Sequence, residues 1–278
     1  MLGLDAVGIV DAVGSEVTLF QPGDVVYYAG VIDRPGSNAE YHLVDERSVG
    51  RKPASLGDAA AAALPLTALT ALTAWELLFD RLRITENGGQ DQTLLVIGAG
   101  GGVGSILVQL ARRLTRLTVV GTDSRPETQD WVYAMGAHHV IDHHQPLAEG
   151  LARLGISRVD HVASLTHSGD YFAQIVEVLA PQGQFGLIDD PGQIDVMALK
   201  RKAQSLHWES MFTRPLYKTS DMQHQHVILN RVAELVDAGV LQTTLGENFG
   251  RITAADLRRA HALVESNRAK GKIVLEGW

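Results

Sequence analysis

The chain has 278 residues, 45% of them hydrophobic, enough for about two domains with buried cores at ~100–200 residues each. Its formal charge of −8 argues against nucleic acid or an anionic membrane as the main partner, since both attract basic surfaces. The absence of cysteine excludes disulfides, thiolate zinc sites and a cysteine nucleophile.

No apolar run reaches the ~18 residues of a membrane span, and the start Met1-Leu2-Gly3-Leu4-Asp5 lacks the basic beginning of a secretory signal. The localisation expected on these grounds is cytoplasmic.

In chain order, residues 1–50 read as β structure. The apolar run Val7, Ile9, Val10 comes first, then Val25–Tyr28 after the Pro22-Gly23-Asp24 turn, then Ala39–Val44 as a third strand. Short β-branched and aromatic runs between Gly and Pro carry this reading. Helical patterning begins at the alanine-rich Asp58–Leu64. A local Thr-Ala-Leu repeat follows at Thr67–Leu72, and Trp75 reads as a core residue.

Thr93–Ile97 is a short apolar strand, followed by a glycine-rich turn and a helix. That helix places Val103, Ile106, Leu107, Leu110, Ala111 and Leu114 on one face. Further strands are predicted at Leu117–Gly121, His139–Ile141, Val159–Ala163, Gln184–Ile188 and Ser205–Trp208, with helices between most of them. Such alternation is the pattern of an α/β doubly wound parallel sheet. Amphipathic helices at Asp221–Asp237 and Ala254–Asn267 and a strand at Lys272–Leu275 close the chain.

The turn reads Gly98-Ala99-Gly100-Gly101-Gly102-Val103-Gly104. Taken from Ala99 it is A-x-G-x-x-G, with Ala99, Gly101 and Gly104 in the key positions for a tight turn, close phosphate approach and close helix packing. The helix N-terminus offers free N–H groups to a pyrophosphate. The strand before and the helix after are the context in which this motif means dinucleotide binding. Ala99, Gly100, Gly101, Gly102, Val103 and Gly104 are the candidate phosphate cradle. No Gly-Lys-Ser/Thr closes the turn, which argues against a P-loop; an S-adenosylmethionine-dependent methyltransferase is the rival on the same sheet. Asp123 lies 19 residues past Gly104, the spacing of an acid that holds the 2′-OH of NAD. Ser124 and Arg125, beside it, suit the 2′-phosphate of NADP.

The residues assembled so far resemble the medium-chain dehydrogenase/reductase superfamily, and within it the zinc-type alcohol dehydrogenase-like proteins related to quinone oxidoreductase. Ala6–Gly14, Pro22–Val26, Gly36–Tyr41, Leu72–Glu76, Gly101–Ser105 and Gly271–Leu275 carry the likeness over nearly the whole chain. The resemblance implies a Rossmann cofactor domain over residues 71–211. A partial, β-rich GroES-like catalytic domain is implied over residues 1–70 and 212–278. It also implies NAD(P)H-dependent reduction of quinones, enones or related carbonyl compounds, commonly by a homodimer. The segment Ser124–Thr128 leans the expectation toward NADPH over NADH. Where zinc-dependent members have a Gly-His-Glu motif, this chain has Gly3-Leu4-Asp5, so no zinc is expected. The start of the chain falls inside the catalytic domain, so a missing N-terminal part is expected, and with it uncertain activity. A non-catalytic dinucleotide-binding protein is the alternative.

Ligands in open α/β sheets sit beyond the carboxyl ends of the strands. By resemblance Thr166, Leu187, Ile188 and Phe212 line the nicotinamide. His167 and Tyr28 are weak candidates for proton supply, His167 because it ionises near neutral pH. Asp189 and Asp190 read as turn residues before Pro191. The cluster His138-His139, Asp142, His143-His144 lacks ligand spacing, and a metal is not expected there.

Overall fold

The computed structural model describes residues 2–66 and 74–277. The Thr-Ala-Leu repeat at 67–72 lies outside the described residues. The chain divides into two compact units, residues 1–72 with 211–278, and residues 73–210.

In the first unit, β1 (Asp5–Ile9), β2 (Val25–Ala29) and β3 (Val49–Arg51) form an antiparallel sheet in the order β1-β2-β3. Phe20, Val26, Tyr28 and Val49 bury a small apolar core on it. A short helix α1 (Asp58–Ala62) follows. The third strand is therefore Val49–Arg51, and Ala39–Val44 is a loop, contrary to expectation. Within it, His42 Nε2 lies 2.7 Å from the Pro35 carbonyl, which ties the segment back on itself, while Tyr41 and Leu43 are 76% and 87% exposed. Without a neighbouring strand, a β-prone sequence gains nothing from extension.

The second unit is built on β4 (Thr93–Ile97), β5 (Thr118–Thr122), β6 (His139–Ile141), β7 (Val159–Ser164), β8 (Leu179–Leu187) and β9 (Ser205–Trp208). All run parallel in the order β6-β5-β4-β7-β8-β9. Between them lie α2 (Gly102–Leu114), α3 (Pro126–Met135), α4 (Leu147–Arg153) and α5 (Ser168–Val178). Leu94, Leu95 and Val96 are fully buried, as a central parallel strand covered on both faces requires. The predicted stripe of α2 is buried through Ile106, Leu107, Leu110 and Ala111. The Rossmann-type α/β fold expected from the alternation is the fold observed. Strand order reverses at β4, which puts the switch point at the glycine turn.

The chain returns to the first unit with α6 (Thr213–Tyr217), α7 (His224–Asp237), β10 (Leu245–Asn248), α8 (Ala254–Glu265) and β11 (Lys272–Val274). β10 and β11 pair in parallel, and the α7 carbonyl of Leu229 accepts from the buried Tyr27 hydroxyl at 2.5 Å. Helix α7 starts three residues later than predicted, because Asp221 instead pairs with Arg214 at 2.9 Å.

Phe185 sits fully buried in mid-β8, its ring 6.1 Å from that of Phe172 on α5. Phe185→Ala is expected to destabilise the chain by about 3–5 kcal/mol, lost packing and cavity together. Urea denaturation would measure it; a loss below about 1 kcal/mol would show that this core collapses around the gap.

Candidate functional site

The glycine turn bends directly off the end of β4. Gly98 has φ +81°, and a Cβ there would lie 3.0 Å from the Thr166 methyl group. The left-handed turn thus falls on Gly98 rather than on Ala99, the position assigned from the motif. Ala99 is instead fully buried, against Gly121 of β5. Gly101 is the extended N-cap of α2 and has room for a side chain, so its backbone is not held by any need for glycine. Gly104 is different: a Cβ there would meet the carbonyls of Gly98 and Ala99 at 2.5 Å. Only glycine lets α2 start this close to the strand. Gly98 N donates to Thr122 Oγ1 at 3.2 Å, and Ser105 Oγ donates to the Gly101 carbonyl at 2.7 Å. The first turn of α2 is fixed, with Gly102 and Val103 partly exposed.

Asp123 follows β5 and is 8% exposed. Its backbone N–H donates to the Ile141 carbonyl at 3.1 Å, and its Oδ1 accepts from Arg125 N at 3.1 Å. Oδ2 faces Gly100, where a Cβ would come within 2.6 Å of it. Thr128 also faces Gly100, and its Oγ1 is buried without a hydrogen-bond partner. The side chains of Ser124 and Arg125 are half-buried beside this group. The structure therefore brings the turn, Asp123, Ser124 and Arg125 to one end of the sheet. Gly98 and Thr128, not among the motif residues, belong with them.

Thr166 and His167 lie beyond β7. Thr166 packs on Gly98, and its Oγ1 lies 2.7 Å from His167 Nδ1. His167 is exposed with φ +53°. Leu187 ends β8 fully buried, and Ile188 N donates to the Ser164 carbonyl at 3.3 Å. Asp189 is more than a turn residue. Its Oδ2 accepts from Ser168 N at 2.9 Å and its Oδ1 accepts from Ser168 Oγ. Ser164 falls in the segment selected beyond the strand end, but sequence reasoning passed over Ser168, whose only signal was a second small hydroxyl four residues on, across a strand–helix junction.

Phe212 and Tyr28 belong to the first unit, and the histidine cluster to the segment around β6. Phe212 caps α6 in the first unit. Tyr28, in β2, is buried, and its hydroxyl lies 3.0 Å from His42 Nδ1. With His42 Nε2–H donating to Pro35, Nδ1 is left to accept the tyrosine proton. Burial pushes the Tyr28 phenol up to about 12. Both facts make it a poor proton donor at neutral pH. His138 Nδ1 accepts from Val119 N at 2.9 Å, while His143 and His144 stack edge to face at 4.7 Å. Among the described residues no group of three or more His, Asp or Glu converges as metal ligands would.

A doubly wound sheet with a glycine turn at its switch point, in one chain with a β-rich unit from both ends, defines an oxidoreductase of the medium-chain dehydrogenase/reductase superfamily. The profile of the zinc-binding dehydrogenases matches residues 135–275. A zinc-type alcohol dehydrogenase-like protein of Staphylococcus aureus (strain MSSA476) is 38% identical over 281 residues, covering 99% of this chain and 82% of its own length. The crystal structure of a candidate zinc-dependent alcohol dehydrogenase protein from Rhizobium etli CFN 42 matches with a TM-score of 0.93 at 56% identity, covering 99% of this chain and 80% of that one. A quinone oxidoreductase of Pseudomonas syringae pv. Tomato DC3000 matches with a TM-score of 0.82 at 25% identity, over 99% and 82% of the two chains. The chain belongs to the zinc-type alcohol dehydrogenase-like family.

The metal in the family's name does not fit these residues. The chain has no cysteine, and Leu4 offers no lone pair. The neighbouring Asp5 is already engaged: Lys272 Nζ lies 2.7 Å from Oδ2, and Oδ1 accepts from Leu66 N. No helix among the described residues is long and apolar enough to cross a membrane.

Burial pushes His138, His143, His161 and His207 below the ordinary imidazole range, with Arg112 adding to the effect at His138 and Arg83 and Arg81 at His207. The unfolded chain, with histidines near 6.5, then binds more protons than the folded one, so stability rises with pH. It is fully present above about pH 6.5 and is lost as pH falls through the lowered folded values. Thermal unfolding should show Tm falling from pH 7 to pH 5, with a shallower fall in His138→Gln. A flat Tm profile over that range would contradict this.

Proposed function

We propose that this chain is a zinc-independent NAD(P)H-dependent reductase of quinones, enones or related carbonyl compounds. The observation that carries the reading is the glycine turn. Gly104 lets the N-terminus of α2 close against the end of β4, and Asp123 and the unpartnered Thr128 hydroxyl flank Gly100. A helix N-terminus with free N–H groups stabilises a pyrophosphate, and a carboxylate or its basic neighbours select the ribose. The likeness to a quinone oxidoreductase supports the substrate class.

When bound, the nicotinamide would supply a hydride to an electron-poor carbon. The chain's own residues would hold the pyrophosphate at 98–104 and the adenine ribose at 123–125, and solvent would supply the proton. Without a fitting metal donor set, polarisation of the acceptor falls to hydrogen-bond donors. NADPH is the proposed preference. The Asp123 carboxylate is turned inward and engaged by Arg125 N, whereas Ser124 and Arg125 keep exposed surface. Asp123 still opposes a 2′-phosphate through like charge.

NADPH oxidation followed at 340 nm across a panel of quinones and enones should rise clearly above background. Tight NADPH binding with no turnover of any acceptor would favour a non-catalytic binding protein instead. Asp123→Ser should shift the NADPH-to-NADH affinity ratio upward by about tenfold, as removal of a repulsive charge allows, and Arg125→Ala should shift it down. Ratios unchanged in both variants would remove these residues from the ribose site.

A further inference from the structure

Two parts of the second unit's ligand-facing rim are joined by a buried chain of hydrogen bonds. Ser164 ends β7 and Ser168 begins α5; they are 0% and 1% exposed, with their hydroxyl oxygens 2.7 Å apart. Asp189, two residues past β8, receives both the backbone N–H and the hydroxyl of Ser168. A carboxylate accepts only, and a serine hydroxyl has one proton. The chain therefore has one direction, Ser164 O–H to Ser168 to Asp189.

This chain fixes the loop between the two serines. Leu165 N donates to the Ile97 carbonyl at 3.1 Å, Thr166 lies against Gly98, and His167 takes a left-handed conformation at φ +53°. A non-glycine residue in that region is strained and persists only where its surroundings hold it. Holding comes from both ends. The turn after β8 lies so close to α5 that a Cβ on Gly169 would meet the Pro191 carbonyl at 2.7 Å.

We infer that Asp189 is a positioning residue for the dinucleotide: through Ser168 it keeps the Thr166–His167 loop seated on Gly98, at the end of the turn opposite Asp123. The inference rests on the dinucleotide reading given above. Removing the carboxylate leaves the Ser168 N–H and hydroxyl without their acceptor and frees the strained loop. The nicotinamide end of the cofactor then meets a loop with several conformations, while the adenine end at residues 123–125 is untouched.

Binding titrations with NADPH and with ADP-ribose, which lacks the nicotinamide and the 2′-phosphate, separate these ends when each variant is compared with wild type on the same ligand. Asp189→Ala should weaken NADPH about tenfold or more, as loss of a charged hydrogen-bond acceptor does. ADP-ribose affinity should stay within about twofold of wild type if the adenine end is independent. Asp189→Asn should recover most of the NADPH affinity, because its carbonyl accepts from Ser168 N and its amide can donate to a reversed hydroxyl chain. Asp189→Ala with unchanged NADPH affinity, or with equal loss of both ligands, overturns the positioning role while leaving the dinucleotide reading intact. Wild type that binds neither ligand overturns that reading, and the inference with it.

Discussion

The close approach of a helix start to a strand end governs the second unit. At Gly104 the backbone of α2 comes so near the carbonyls of Gly98 and Ala99 that a single methyl group would separate them. That contact sets where the first N–H groups of α2 point. It occurs on β4, the strand from which the sheet grows in both directions, β5 and β6 to one side and β7 to β9 to the other. In open α/β sheets the loops on either side of such a point diverge and leave a crevice where ligands gather.

Two carboxylates follow the carboxyl ends of β5 and β8, and both are satisfied by backbone. Asp123 accepts from Arg125 N before α3, and Asp189 accepts from Ser168 N at the start of α5. Each complements the unpaired N–H groups and positive end of its helix. A chain with a formal charge of −8 can still hold a polyanion if local donors outnumber local acceptors. At α2 no acidic residue occupies the first turn.

In the first unit a carboxylate near the start of the chain is spent on structure. Asp5, beside the apolar Leu4, is neutralised by Lys272 of β11 and by the backbone of Leu66. A carboxylate committed in this way ties the first strand to the last. It serves the fold.

Much of this was legible in the sequence. The continuous apolar run of β4, the 3.6-residue stripe of α2 and the spacing from Gly104 to Asp123 are local patterns, and they specified a doubly wound sheet and its turn. What tertiary structure alone decided depends on partners distant in sequence. Ala39–Val44 has strand composition but no neighbour to pair with, so it is a loop. The left-handed position of the turn belongs to Gly98, which Thr166 crowds from the loop past β7 and Thr122 holds from β5. Asp189 looks like a turn residue until Ser168, 21 residues earlier, is brought against it. Periodicity reports which face of an element is buried; it carries no information about which atom from another element meets that face.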